Sequence, residues 1–275
     1  MTLQNKKIRI GIIGCGAIGS RIAKSVKSEL MSSYRLTGLF DIKTEKSRKL
    51  AHKLSSPKIV KSSLKDLLAD CDLAVEAVNA PEARDIVLGT LMAKKHILAM
   101  SVGRLLNAAK IFTLATKNHC SLLLPSGAIA GVDAIKAASL GKIDHIILTT
   151  RKPPSGLNNN SYLLAQGIDL ENIKEETVLF EGDVENAVKF FPQNINVAAT
   201  VALASQAKNK VIIRIITSMN FKTNSHELEV VGNFGRIITR TDNVVCPDNP
   251  KTSYLAVLSA IQTLKQFSHG LKIGT

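Results

Sequence analysis

The sequence predicts an α/β protein: a doubly wound parallel sheet over residues 1–125, then an α+β domain built on a mostly antiparallel sheet. Three observations carry this. Short apolar runs alternate with helical stretches through six repeats before Pro125, the order that a parallel sheet with crossover helices requires. A glycine-rich turn joins the first of these strands to the first helix. Beyond Ser126 the runs lengthen and alternate polar with apolar, as strands with one solvated face do.

Ile8, Ile10, Ile12 and Ile13 mark the first strand, and Gly14, Gly16 and Gly19 follow at the G-x-G-x-x-G spacing. That spacing provides a tight turn, a close backbone approach to a pyrophosphate and close helix-to-strand packing. Ala17 and Ile18 begin the helix whose free N–H groups would face the phosphates, and Ile22, Val26 and Leu30 continue its apolar stripe. RLTGLF forms the second strand and ends at Asp41, 22 residues past Gly19, where an acid bonds the adenosine ribose hydroxyls. Strand, turn, helix, strand and acid in this order predict a Rossmann domain that binds NAD or NADP.

The rest of the domain follows in order. A helix from Thr44 buries Leu50 and Leu54, KIV at 58–60 reads as a short third strand, and Ser63 to Asp66 forms a capping box ahead of Leu67 and Leu68. DLAVEAV supplies the fourth strand, Pro81 opens the next helix, and HILAMS, NAAKIFTLATKN and CSLLLP give strand, helix and sixth strand. Ligands of such a sheet gather at the strands' carboxyl ends, here Gly14 to Gly19, Asp41, the Val78-Asn79-Ala80 corner and Ser101 to Gly103.

SGAIAGVDAIKAASLGK is expected to be a helix from Ser126 or Gly127. DHIILTTRKPP, ETVLFEG, KVIIRIITSM, SHELEVVG and GRIITRTD are the strands, with NVAATVALASQA as an inserted helix. SGLNNNSYLLAQG reads as a polar, mobile flap. The final helix, from a cap at Thr252 or Ser253, is expected to return to the first domain. The expected division is residues 1–125 plus 245–275 for the dinucleotide and 126–244 for substrate and dimerisation, with the substrate cleft between the two.

The apolar runs are too short to span a bilayer and the first residues lack a signal-peptide core, which points to a soluble cytoplasmic protein. Cys15, Cys71, Cys120 and Cys246 are scattered, with no spacing that suits a disulfide framework or a metal site, so no metal is expected. Cys120 beside His119 resembles a thiol nucleophile only superficially, because the apolar run after it reads as a buried strand. The formal charge of +14 comes from lysines and arginines spread along the chain with few aromatics among them. That distribution favours a field that attracts anionic small molecules over a nucleic-acid surface.

A nicotinamide enzyme needs an acid/base group near the carbon that exchanges hydride. Of the six histidines, His226 differs from the others, because strand alternation in SHELEVV places it on the face of Leu228 and Val230. That placement suits either a buried structural residue or a catalytic one. Arg151 and Lys152 in TTRKPP and Lys251 in NPKTS are cations able to hold carboxylates.

Taken as an ordered set, GCGAIG, SVGRL, PSGAIAGVDAI, TTRKPP, FPQNINVAATVALA, NSHELE and DNPKTSYLAVLSAI resemble the L-aspartate dehydrogenase family over nearly the whole chain. The resemblance implies NAD(P)-dependent oxidative deamination of L-aspartate to iminoaspartate, which yields oxaloacetate and ammonia or feeds NAD synthesis. It also implies a homodimer of two-domain subunits. The family's catalytic histidine falls on His226, and its cofactor-contacting alanine and asparagine fall on Ala130 and Asn196. Alternatives are a dihydrodipicolinate-reductase-like or sugar oxidoreductase and a non-catalytic dinucleotide sensor. Ser101-Val102-Gly103-Arg104 stands where sugar oxidoreductases carry E-K-P, and no nucleic-acid-binding module is discernible.

Overall fold

The computed structural model describes residues 7–275 except Asn79, Gln193, Asn194 and Asp248, and the backbone alone of residues 249–251. The chain divides into two compact units, Met1–Pro125 with Val257–Lys272, and Ser126–Ala256 with Ile273–Thr275. Among the described residues no helix is long and apolar enough to cross a membrane.

The first unit contains β1 (Ile8–Ile13), α1 (Ala17–Lys27), β2 (Tyr34–Phe40), α2 (Thr44–Lys53), α3 (Leu64–Ala69), β3 (Leu73–Glu76), α4 (Ala83–Met92), β4 (His96–Ala99), α5 (Ala109–Lys117) and β5 (Leu122–Leu123). Its sheet runs β2-β1-β3-β4-β5, parallel throughout. The expected strand at residues 58–60 is instead a 3₁₀ turn, Pro57–Ile59, after which Val60 makes one parallel bridge to Leu39. Pro57, whose fixed φ suits the first position of a helical turn, opens that 3₁₀ turn, and the sheet has five strands where six were expected.

Two glycines determine how a helix seats on this sheet. Gly11 of β1 lies beside Gly38 of β2, and the fully buried Leu67 of α3 fills the space their missing side chains leave. A Cβ on Gly11 would lie 2.6 Å from Leu67 Cδ2, and one on Gly38 would lie 3.1 Å from Leu67 Cγ. At the far end of the unit, the buried Tyr34 hydroxyl donates to the Leu264 carbonyl at 2.7 Å. Burial pushes that phenol up to about 12, so the hydroxyl remains a donor at any ordinary pH.

The second unit contains α6 (Val132–Ala138), β6 (Ile143–Lys152), α7 (Ser161–Ala165), β7 (Thr177–Asp183), α8 (Val184–Phe190), α9 (Asn196–Ser205), β8 (Val211–Thr217), β9 (Asn224–Gly232), β10 (Gly235–Asn243), β11 (Val245–Cys246) and β12 (Asn249–Ser253). The closing helix α10 is Tyr254–Ser268. The five-stranded sheet runs β10-β9-β6-β8-β7, antiparallel except for the β6·β8 pair. α9 is mostly apolar, and Ala198, Ala199, Val201 and Ala202 are all buried.

Three expectations change here. The helix foreseen from residue 126 begins at Val132, because Gly127 and Gly131 adopt φ of +75° and +84°, which no α-helix accommodates. Residues 155–167 are packed instead of forming a free flap: Leu157 and Leu163 are buried, and the Tyr162 ring stacks on Phe190 at 4.4 Å and meets Phe191 edge-on at 5.6 Å. The return to the first unit falls at Val257 and not at residue 245. Val245–Cys246 and Asn249–Ser253 pair antiparallel as β11 and β12, and the Tyr254 N–H donates to the Val244 carbonyl.

Truncating Leu67 to Ala would empty the space above two glycines that cannot close it. Leu67→Ala should therefore destabilise the first unit by about 2–5 kcal/mol, seen as a lower denaturant midpoint with an unchanged slope.

Candidate active site

At the carboxyl ends of β1 and β2, Gly14 has φ +92°, and a Cβ there would lie 2.5 Å from the Ala77 carbonyl oxygen. A side chain on Gly19 would collide with the Gly14 carbonyl, whereas the space over Gly16 is open for 4 Å. The turn thus brings two backbones together and keeps its outer surface bare. α1 starts at Ala17 and Ile18 with Gly16 as N-cap, no side-chain cap and no acid in its first turn. Its leading N–H groups and positive dipole end are available to an anion.

Asp41 lies where the acid was expected and is already engaged. Its Oδ2 accepts from the Cys15 N–H at 2.8 Å, and its Oδ1 accepts from the Lys43 N–H at 2.9 Å. Each oxygen has a second lone pair, so the carboxylate can hold the glycine loop and still accept from a ribose hydroxyl. Cys15 is buried, and desolvation together with nearby Asp41 pushes its thiol up to about 12. Cys120 is also shifted up by burial, with its Sγ directed at the Asn118 carbonyl, so it is no nucleophile.

In the second unit His226 is 6% exposed and lies on one sheet face with the buried Leu228 and Val230. Its cross-strand neighbours are Thr150 on β6 and Thr241 on β10. His226 Nδ1 lies 3.0 Å from the Thr150 hydroxyl. When Nδ1 carries the proton and donates to Thr150, Nε2 is the acceptor nitrogen. Burial, then the nearby charge of Lys152, lowers the imidazole from its ordinary value to about 4. That shift favours the neutral ring at physiological pH.

Strand alternation also separates the two cations of TTRKPP. Lys152 shares the parity of Thr150, acts electrostatically on His226, and is itself lowered to about 8 by burial. Arg151 lies on the opposite face, 3.2 Å from Glu227 and 3.9 Å from Glu176. The structure thus places Lys152 near His226 and Arg151 away from it. The Lys251 side chain lies outside the described residues.

Ala130 reaches this face through its loop. The Thr239 hydroxyl donates to the Ala130 carbonyl at 3.2 Å, and the Thr241 hydroxyl and Asn243 amide donate to the Ala128 carbonyl at 2.9 and 3.1 Å. Alternate residues of β10 therefore pin residues 128–130 to the edge of the sheet on the His226 face, and Ala130 is exposed. Asn196 is exposed at the first turn of α9. Among the described residues no His, Cys, Asp and Glu cluster suits a metal ion.

Residues 14–125 match the NAD-binding domain described for homoserine dehydrogenase, and residues 133–267 match the C-terminal domain of aspartate dehydrogenase. The L-aspartate dehydrogenase of Methanosarcina mazei is 41% identical over 271 residues, covering 98% of this chain and 100% of its own. The chain belongs to the L-aspartate dehydrogenase family. Among solved structures, the aspartate dehydrogenase of Thermotoga maritima superposes with a TM-score of 0.75 at 23% identity, covering 98% of this chain and 100% of that one. GenD2 of gentamicin A biosynthesis, solved in complex with NAD, gives 0.54 at 12% identity over 96% and 86%. These two show a shared fold. Family membership accounts for the bare glycine turn, which fits a dinucleotide: a cradle that a Cβ would fill, beside an uncapped helix end.

Thr150, Thr241, Asn243 and the fully buried Glu76 of β3 were not singled out in the sequence. An acid inside the apolar run DLAVEAV was the one available signal among them.

Asp41→Ala should raise the ratio of NADP to NAD specificity, measured as kcat/KM, since the carboxylate repels a 2′-phosphate. The same change leaves the Cys15 N–H without its acceptor and should destabilise the unliganded protein by about 1–3 kcal/mol. Lower stability with an unchanged cofactor ratio would mean that Asp41 serves the loop alone.

Proposed function

We propose that this protein catalyses NAD(P)-dependent oxidative deamination of L-aspartate to iminoaspartate, which water converts to oxaloacetate and ammonia. The observation that carries the reading is a neutral, buried His226 with Lys152 on the same face, in a chain of the aspartate dehydrogenase family. The bound dinucleotide supplies the acceptor for the hydride that leaves Cα. Gly14, Gly16 and Gly19 with the head of α1, at Ala17 and Ile18, hold its phosphates, Asp41 holds the ribose, and Ala130 and Asn196 complete its contacts.

Lys152 pairs its ammonium with one carboxylate of the dianionic substrate. Thr150 accepts from His226 Nδ1 and fixes the tautomer that leaves Nε2 basic. As water adds to the imine carbon, His226 Nε2 takes the proton that the water oxygen loses, and gives it up to nitrogen as ammonia departs. The substrate's negative charge raises the basicity of His226 when it is needed, because an anion nearby favours the imidazolium. Arg151 stays in its ion pairs with Glu227 and Glu176 and does not bind substrate.

The reading includes a homodimer and a cytoplasmic location. The sheet face away from His226 supports the dimer, because Ile238, Ile212 and Val178 stand exposed on it between Arg214–Glu181 and Arg236–Glu229 ion pairs. Scattered apolar residues ringed by paired charges suit a self-complementary surface.

Reduction of NAD(P) by L-aspartate, with L-glutamate and D-aspartate as poor substrates, is the direct assay. Equal turnover of glutamate, or none with any amino acid, would falsify the assignment. His226→Ala should lower kcat about 10²–10⁴-fold, the usual effect of one positioned acid/base group, with NADH affinity retained. Near-normal kcat in the folded variant would make His226 structural.

Lys152 gives a pH signature free of the substrate amine. Succinate, a dicarboxylate without an amine, should inhibit with constant affinity over the range in which both its carboxyls are ionised and Lys152 is charged, up to about pH 8, and progressively more weakly above it, as the Lys152 ammonium loses its proton. Lys152→Met should bind succinate weakly and lack that break. A break surviving in the variant would assign it to another group.

A further inference from the structure

Glu76 ends β3 with no solvent exposure. Its Oε1 lies 2.8 Å from the Val78 N–H and 2.8 Å from the Ser101 hydroxyl, and its Oε2 accepts from the Ser101 N–H at 3.0 Å. The Ser101 Oγ also lies 2.7 Å from the Val78 carbonyl oxygen. A hydroxyl has one hydrogen. With an ionised Glu76 it would face two acceptors, and one of the two short contacts would set lone pair against lone pair in a buried site. Both are satisfied when Oε1 carries a proton and donates it to Ser101 Oγ, while the Ser101 hydroxyl donates to the Val78 carbonyl.

We infer that Glu76 is held as a neutral carboxylic acid and acts as a positioning residue for the dinucleotide site, locking the turn after β3 to the turn after β4. The location gives the proton its function. The turn that Glu76 anchors contains Ala77, whose carbonyl closes against Gly14, and Val78, whose Cγ1 would lie 2.9 Å from a Cβ there. The phosphate-holding loop therefore rests on residues 77 and 78. An anionic Glu76 would break the Ser101 relay and bring a buried negative charge to the site that accepts the pyrophosphate. Burial, the largest influence on Glu76, shifts its ionisation upward against the hydrogen bonds from Val78 and Ser101, in the direction the bonding pattern demands.

The other ionisable groups on the adjoining segments are Arg9 and His96, towards the opposite ends of the neighbouring strands β1 and β4, Cys15 and Asp41 beyond β1 and β2, Glu82, Arg84 and Asp85 at the head of α4, and Arg104 after β4. Glu82, Arg84, Asp85 and Arg104 are exposed to solvent. Cys15, at about 12, remains a thiol through the neutral range. A carboxyl whose folded-state ionisation lies above its unfolded value stabilises the fold at low pH and loses that contribution as pH rises through the folded value. Dinucleotide affinity, if it requires the neutral form, falls over the same interval.

The inference rests on the dinucleotide reading of the first unit, and the test separates the two. Protein labelled with ¹³C at glutamate Cδ should show, without any ligand, one carboxyl in the protonated position at pH 7. That resonance should be absent from Glu76→Gln and shifted in Ser101→Ala, which removes the acceptor of the proton. All glutamates ionised at pH 7, or a protonated resonance that persists in Glu76→Gln, would overturn the inference while leaving dinucleotide binding intact. If Glu76→Gln does not fold, the Ser101→Ala shift makes the assignment alone, and an unmoved resonance there overturns it. The second readout is NADH affinity against pH. In the wild type Kd should rise about tenfold per pH unit above the pH at which that carboxyl titrates, the slope for one linked proton, while Glu76→Gln shows no such rise. Parallel curves would overturn the positioning role, and no NADH binding at any pH would overturn the dinucleotide reading itself.

Discussion

Two basic side chains buried within electrostatic reach of each other, His226 and Lys152, set the constraint on which the second unit depends. Desolvation penalises both charged forms, and the Lys152 charge further disfavours the imidazolium of His226. The outcome is asymmetric: the imidazole, shifted to about 4, gives up its proton, while the ammonium at about 8 keeps its charge at neutral pH. One sheet face thus carries a neutral imidazole and a charged ammonium. An anion brought to that face would offset both penalties, which is the electrostatic basis of the dicarboxylate site proposed above.

The first unit meets the opposite requirement. An anionic dinucleotide needs N–H groups and bare backbone, so the approach of Gly14 to Ala77 and of Gly19 to Gly14 leaves no side chain between helix, loop and strand. Both acids near this loop are tied down. Asp41 is held by two backbone N–H groups, and Glu76 lies in a closed set of hydrogen bonds with Val78 and Ser101. Carboxylates left loose at this end of the sheet would compete with the phosphates for the same donors.

The strand and helix order of the first unit was legible because buried parallel strands and amphipathic helices carry different periods, and the glycine spacing and Asp41 had only one backbone arrangement to fit. Where legibility failed, a single residue overrode the pattern. Pro57 removed a strand that the apolar run at 58–60 suggested, and Gly127 and Gly131, free to adopt positive φ, delayed a helix that the small-residue composition around them favoured. At the site, alternation along SHELEVV was enough to turn His226 inward. Alternation along TTRKPP also separated Arg151 from Lys152, but which of the two faced the histidine depended on the β6·β9 register, and register is set by pairings distant in sequence. The loop anchors Thr239, Thr241 and Asn243 were illegible for the same reason, since their partners lie more than a hundred residues away.

Charge gives these local arrangements a common setting. The formal excess of +14 is not concentrated on one binding stripe, and on α2 the lysines and arginine from Lys46 to Lys53 are exposed, close in sequence to Asp41. Free side chains of this kind contribute little to stability. A net positive charge raises the encounter rate of anions at low ionic strength, an effect that fades with salt. For an aspartate dehydrogenase both the dinucleotide and the dicarboxylate are anions. In the mechanism proposed above, the diffuse charge acts on arrival and the local groups on what has arrived: Lys152 would select a carboxylate, His226 would handle the proton, and the glycine turn would accept phosphate with no charged side chain of its own. A fold shared at 12% identity, as with GenD2, fixes where a sheet face lies and leaves open which side chains stand on it, so a substrate has to be argued from those few positions and not from the architecture.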